Sequence, residues 1–118
     1  MTGETTVFGK ITISPKAIAT LASQAAMQSY GVVGLASKNF VDGIAQAIAR
    51  DPRHGVEINT LENELLIDIY VIIEYGTRIT SVARSVANSV RFQVERAIGL
   101  PVAEVNVHVQ DLRISDTD

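Results

Sequence analysis

The residues with chemical potential in this chain are two histidines, His54 and His108, three strand carboxylates, Glu57, Asp68 and Glu74, and three helix serines, Ser81, Ser85 and Ser89. Their spacing argues against catalysis and metal binding. His54 sits in the turn Asp51-Pro52-Arg53-His54-Gly55 and His108 on the polar face of a strand, with no HExxH, no His pair at i,i+4 and no cysteine, so no metal pattern forms. Asp68 and Glu74 share one strand face, and Glu57 is placed to pair across a hairpin. Paired carboxylates act as acid and base only in a cleft that shifts their pKa values, and a solvated or interfacial sheet face explains them more simply. The serines lie along a helix rather than in a GxSxG elbow. Gly31-Val32-Val33-Gly34 lacks the Lys-Ser/Thr of a phosphate loop and reads as a tight, glycine-bounded connection. No catalytic, cofactor-binding or metal-ligating residue is assigned. An intrinsic enzyme would need Tyr70 and His108 gathered with a carboxylate in one pocket.

These residues must be positioned by one small domain. At 118 residues, 47% hydrophobic and 19% charged, the chain is long enough for a core without disulfides or metal and too apolar for disorder. A net charge of −3, with no Trp, three Phe and three Tyr, disfavours a general nucleic-acid binder. The absence of cysteine and of a signal-like N-terminus points to the cytoplasm. The apolar run Leu65 to Ile73, interrupted by Asp68, is shorter than the ~20 residues a membrane-spanning helix needs.

Val7, Ile11 and Ile13 alternate as a first strand, and Ser14-Pro15 supplies the N-cap and N1 of a helix running to about Ser29, with Ile18, Leu21, Ala22 and Ala25 inward. A shorter helix is expected from Asn39, with Phe40, Val41, Ile44, Ala45 and Ile48 on one face. Val56 and Ile58, the turn Glu62-Asn63 and the run from Leu65 to Glu74 form a hairpin. Leu65, Ile67, Ile69, Val71 and Ile73 make its core face, and Leu66, Asp68, Tyr70, Ile72 and Glu74 a mixed one. After Tyr75-Gly76, Thr77 is placed to cap a long helix carrying Ile79, Val82, Ala83, Val86, Val90, Val94 and Ala97, which Gly99 and Pro101 end. Val105, Val107 and Val109 mark a last strand. The order β-α-(α)-β-β-α-β predicts an α+β fold, a single domain over 1–118 with a small mixed or antiparallel sheet of about four strands and helices on one face. Residues 1–6 and 115–118 are expected to fray.

Two surfaces stand out. Leu66, Tyr70 and Ile72 put apolar area on the second face of a strand, for self-association or for burial under the short helix. Arg84, Asn88, Arg91 and Glu95, three or four residues apart, line one exposed helix edge; a solvated helix face explains it most simply, and Arg84, Asn88 and Arg91 are otherwise a polar ridge for an acidic partner. The candidate interaction surface is therefore Leu66, Tyr70, Ile72, Arg84, Asn88, Arg91 and His108.

Several motifs in order carry a resemblance: Gly9-Lys10-Ile11-Thr12-Ile13-Ser14, Tyr30-Gly31-Val32-Val33-Gly34-Leu35-Ala36-Ser37-Lys38-Asn39, Ile67-Asp68-Ile69-Tyr70-Val71-Ile72-Ile73-Glu74-Tyr75-Gly76-Thr77-Arg78-Ile79, and Gly99-Leu100-Pro101-Val102-Ala103-Glu104-Val105-Asn106-Val107-His108-Val109-Gln110-Asp111-Leu112-Arg113. From Val7 to Ile114 the chain resembles the alkaline shock protein 23 family, also called the Gls24 envelope-stress family. The segment Gly34 to Asn39 is most similar to its housekeeping branch. The resemblance implies a non-enzymatic cytoplasmic protein of mainly Gram-positive bacteria, without cofactor, linked to cell-envelope homeostasis. It implies partners such as a membrane anchor protein or a fatty-acid-kinase-like protein, and self-association in some members. The C-terminus stops soon after the last strand, unlike the extended tails of some members. The function expected is a scaffold or adaptor acting through self-association and protein contacts, peripheral to the membrane through a partner. The alternatives are a small RNA-binding module and a regulatory subunit of a lipid-synthesis enzyme.

Overall fold

The computed structural model describes residues 2–37 and 55–114. The helix expected from Asn39, His54 and the tail from Ser115 lie outside the described residues. Eight elements follow in order: β1 (Thr2–Thr6), β2 (Gly9–Ile13), α1 (Pro15–Met27), β3 (Val32–Leu35), β4 (Val56–Leu61), β5 (Glu64–Glu74), α2 (Ile79–Ile98) and β6 (Val102–Arg113). The fold is α+β, with the helices packed on one face of a mixed four-stranded sheet.

Strand β5 is the axis of that sheet. Along one edge it pairs in parallel with β6, from Leu65↔Val102 to Glu74↔Arg113. The antiparallel partners β4 and β3 share the other edge end to end, β4 beside residues 64–69 and β3 beside residues 71–73. The backbone of Tyr70 is the junction: its N–H donates to Gly55 O, and its carbonyl accepts from Ala36 N. Gly55 makes this junction possible. Its φ is +86°, and a Cβ there would stand 2.6 Å from the Ala36 carbonyl oxygen, so only glycine fits without backbone movement.

Strand periodicity then assigns the two faces. Leu65, Ile67, Ile69, Val71 and Ile73 are fully buried against Ile18, Ala22, Ala25 and Ala26 of α1 and Val82, Val86, Val90 and Val94 of α2. Each large side chain so buried contributes about 1.5–3 kcal/mol. The alanines of α1 let that helix approach closely. Ser14 caps α1 as expected, accepting from Ala17 N at 3.1 Å, and α1 ends at Met27, two residues short of expectation. The parallel β5 and β6 require a crossover, which α2 supplies.

Three expectations are revised. Thr77 does not cap α2; its hydroxyl donates to Glu74 O at 2.7 Å, closing the turn at Gly76, and Arg78 occupies the N-cap with no side-chain bond. The buried stripe of α2 narrows to four valines at four-residue spacing, leaving Ile79 and Ala97 exposed at its ends. Residues 2–6, without strand signal in their sequence, pair with β2 from Thr2↔Ile13 to Thr6↔Gly9. Backbone pairing needs no apolar alternation, which is why the pattern missed β1.

Candidate functional site

On the sheet face away from the helices, strand register assembles a polar cluster. Across β4 and β5, Glu57 stands opposite Asp68; across β5 and β6, Tyr70 stands opposite His108. Directly paired residues put their side chains on one face, so four groups from three strands meet. The His108 and Tyr70 rings stack with centroids 4.5 Å apart and planes 14° from parallel. His108 Nε2 lies 3.0 Å from Asp68 Oδ1, and since a carboxylate only accepts, Nε2 donates. The Tyr70 hydroxyl donates to Glu57 Oε1 over a long 3.4 Å. Burial above all, then the charges of Glu57 and Asp68, then the Glu57 hydrogen bond, push the Tyr70 hydroxyl above the usual tyrosine pKa.

The grouping an intrinsic enzyme would need, Tyr70 and His108 beside a carboxylate, is thus present. A His–Asp pair is the minimal unit of a general base. Here each of its members is engaged within the sheet: His108 is stacked and hydrogen-bonded, and next to it Gln110 donates to Ser37 O at 3.3 Å. Among the described residues no three His, Asp or Glu side chains are grouped to hold a metal.

The other candidate residues separate into two groups. Tyr70 and Ile72 are only 7% and 3% exposed, so the chain itself encloses them, and Leu66 is half-buried. On α2, Arg84 and Asn88 face solvent, but Arg91 and Glu95 turn toward the start of β6. There Arg91 Nη1 donates to Val102 O at 2.6 Å, and Glu95 Oε2 accepts from Val102 N at 2.8 Å. Two residues read as ridge are a clamp on both backbone groups of the first β6 residue. The outward ridge is instead Arg84, Asn88, Phe92 and Arg96, with Phe92 59% exposed and the Arg96 guanidinium 5.8 Å from its ring centroid, a cation–π distance. The signal was available: these residues repeat every four, like the buried valines, on the opposite side of the helix. Residues 78–98 hold four arginines and one glutamate, a basic element in a chain of net charge −3.

No helix among the described residues is long and apolar enough to cross a membrane. In backbone shape the chain is similar to MamM CTD in its copper form, with a TM-score of 0.51 and 15% identity over 86% of this chain and 90% of that one, a likeness of fold alone. In sequence it is 39% identical to the uncharacterized protein YloU of Bacillus subtilis (strain 168) over 113 residues, 94% of each chain. It is 24% identical to a stress response regulator gls24 homolog of Streptococcus pyogenes serotype M3 over 92% of this chain and 61% of that protein. Residues 3–114 match the alkaline shock protein 23 family, described as having a "cell envelope-related function", and the chain belongs to that family.

Proposed function

We propose that this protein is a non-catalytic adaptor in cell-envelope maintenance or stress response, working through protein contacts made by the outer face of α2. The observation that carries this reading is the ridge Arg84, Asn88, Phe92 and Arg96, where a large aromatic side chain stands at the surface beside the Arg96 guanidinium, with Asn88 and Arg84 farther along the same helix face. Aromatic and arginine side chains together are the composition of interface anchors. The family's cell envelope-related function gives the setting, and a cytoplasmic location beside the membrane, held there by a membrane anchor protein, follows as part of the proposal. A fatty-acid-kinase-like protein is the second partner class.

Affinity capture with the wild-type chain and with an Arg84→Glu/Phe92→Ala variant, from both soluble extract and solubilised membranes, tests the reading. An adaptor should retain specific proteins that the variant no longer holds. Equal recovery by both would refute the ridge as the contact surface. Recovery of RNA that survives moderate salt would replace the reading with a nucleic-acid one.

The composition of the His108 cluster keeps a second reading in view, an acid–base site on the sheet face. Its test is whether His108→Gln abolishes a function that the ridge variant retains.

A further inference from the structure

The Arg91 and Glu95 clamp fixes where the ridge ends. Val102, which it holds, pairs with Leu65, and Leu65 N donates to Pro101 O at 3.1 Å. The Phe92–Arg96 end of the ridge therefore lies at the same end of the molecule as the turn joining β4 to β5. That turn is acidic and carries its own apolar side chain: Leu61 is 57% exposed and is followed by exposed Glu62 and Glu64. Among the described residues no ion pair engages Arg84, Arg96, Glu62 or Glu64.

We infer that the occupant of the α2 ridge is the Leu61–Glu64 turn of a second copy of this chain. Charge complementarity and matched composition support this: Arg96 beside the exposed Phe92 on one surface, Glu62 and Glu64 next to the exposed Leu61 on the other. Because Phe92 and Arg96 lie at the same end of the molecule as the turn, a two-fold axis through that end lays this end of each copy's ridge on the other's turn. One operation satisfies both contacts and closes the pair. Rim charges of this kind set specificity and salt dependence more than raw strength, and each copy carries −3 overall. The dimer is accordingly weak and salt-sensitive. This inference rests on the proposed role of the ridge as a contact surface and names one of its partners.

The test uses the full chain in sedimentation velocity over a concentration series, at about 50 mM and about 500 mM NaCl, where screening lengths differ severalfold. The wild type should shift toward dimer with concentration at low salt and less at high salt. Two variants separate the contacts, Arg96→Glu on the ridge and Glu62→Lys/Glu64→Lys on the turn; all three positions are exposed, and unchanged circular dichroism checks the fold. Each variant alone opposes like charges at both contacts and should remain monomeric. Mixed in equal amounts they restore opposite charges between ridge variant and turn variant, and dimer should return. A wild type that stays monomeric, a dimer indifferent to either variant, or a mixture that does not recover would each overturn the inference. If the wild type stays monomeric while the ridge variant still loses captured proteins, the adaptor reading stands without the dimer.

Discussion

His108 stacks on Tyr70 across the parallel pair of β5 and β6, and both are tied at their polar atoms to carboxylates on β5 and β4. The cluster joins three strands on the sheet face opposite α1 and α2. Tyr70 also supplies the backbone junction at which β4 gives way to β3. A polar group on that side chain thus bears on the stability of the whole sheet.

The first expectation is alkaline sensitivity. The Tyr70 pKa is raised in the folded state, chiefly by burial and then by Glu57 and Asp68. Between the ordinary tyrosine value of about 10 and that raised value, the folded state holds a proton the unfolded state has lost. Stability is therefore complete below about pH 10 and falls as pH rises toward the folded pKa. Urea denaturation of wild type and Tyr70→Phe at mild and strongly alkaline pH should show a steeper alkaline loss for the wild type. Parallel losses would contradict it.

The His108–Asp68 pair should contribute little by itself. Its side chains are 41% and 23% exposed, and pairs of that kind typically couple by about 0.2–1 kcal/mol. A double-mutant cycle with His108→Gln and Asp68→Asn should return a coupling in that range, falling with added salt.

The clamp on Val102 should matter more. Val102 is buried, so Glu95→Ala leaves its N–H without an acceptor, at a cost of about 1–3 kcal/mol. Denaturation midpoints should drop accordingly, and Glu95→Gln should recover much of the loss because the amide oxygen can still accept.

Glycine replacements should rank by what a Cβ would meet. At Gly55 it strikes backbone, the Ala36 carbonyl, whereas at Gly76 and Gly99 nothing lies within 4 Å and only the positive φ is unfavourable. Gly99→Ala should cost about 1–2 kcal/mol, and Gly55→Ala distinctly more. Equal costs would show that β3 and β4 adjust around the junction.

Glu62 and Asn63 occupy the two-residue turn with φ of +50° and +69°, the geometry that favours Asn-Gly. Glu62→Gly should raise thermal stability by up to about 1 kcal/mol. In the dimer proposed above it should also weaken association, so that stability and assembly move in opposite directions.

Much of this architecture was legible in the residues. The alternation of Leu65 to Ile73 identified the core strand, Ser14-Pro15 the start of α1, and Glu62-Asn63 the hairpin turn, because each is a local signal with a local cause. The parallel placement of β6 and the end-to-end sharing of β5 by β3 and β4 were not, since register among distant strands is set by packing. The site was legible only in part. Arg84 and Asn88 lie on the exposed ridge as expected. Arg91 and Glu95 were misread because helical spacing marks a face without showing that Val102 lies within reach of it. The cluster around His108 depends on register across three strands, which no short pattern encodes.

On the proposal made above, function resides on the α2 ridge and not in the His108 cluster. The most direct measurement replaces the chromosomal gene in the producing organism with either an Arg84→Glu/Phe92→Ala/Arg96→Glu variant or His108→Gln. Growth under cell-envelope stress is then compared with wild type and deletion at matched protein levels. The ridge variant should behave as the deletion and His108→Gln as wild type. The reverse pattern, a silent ridge variant and a defective His108→Gln, would contradict the proposal.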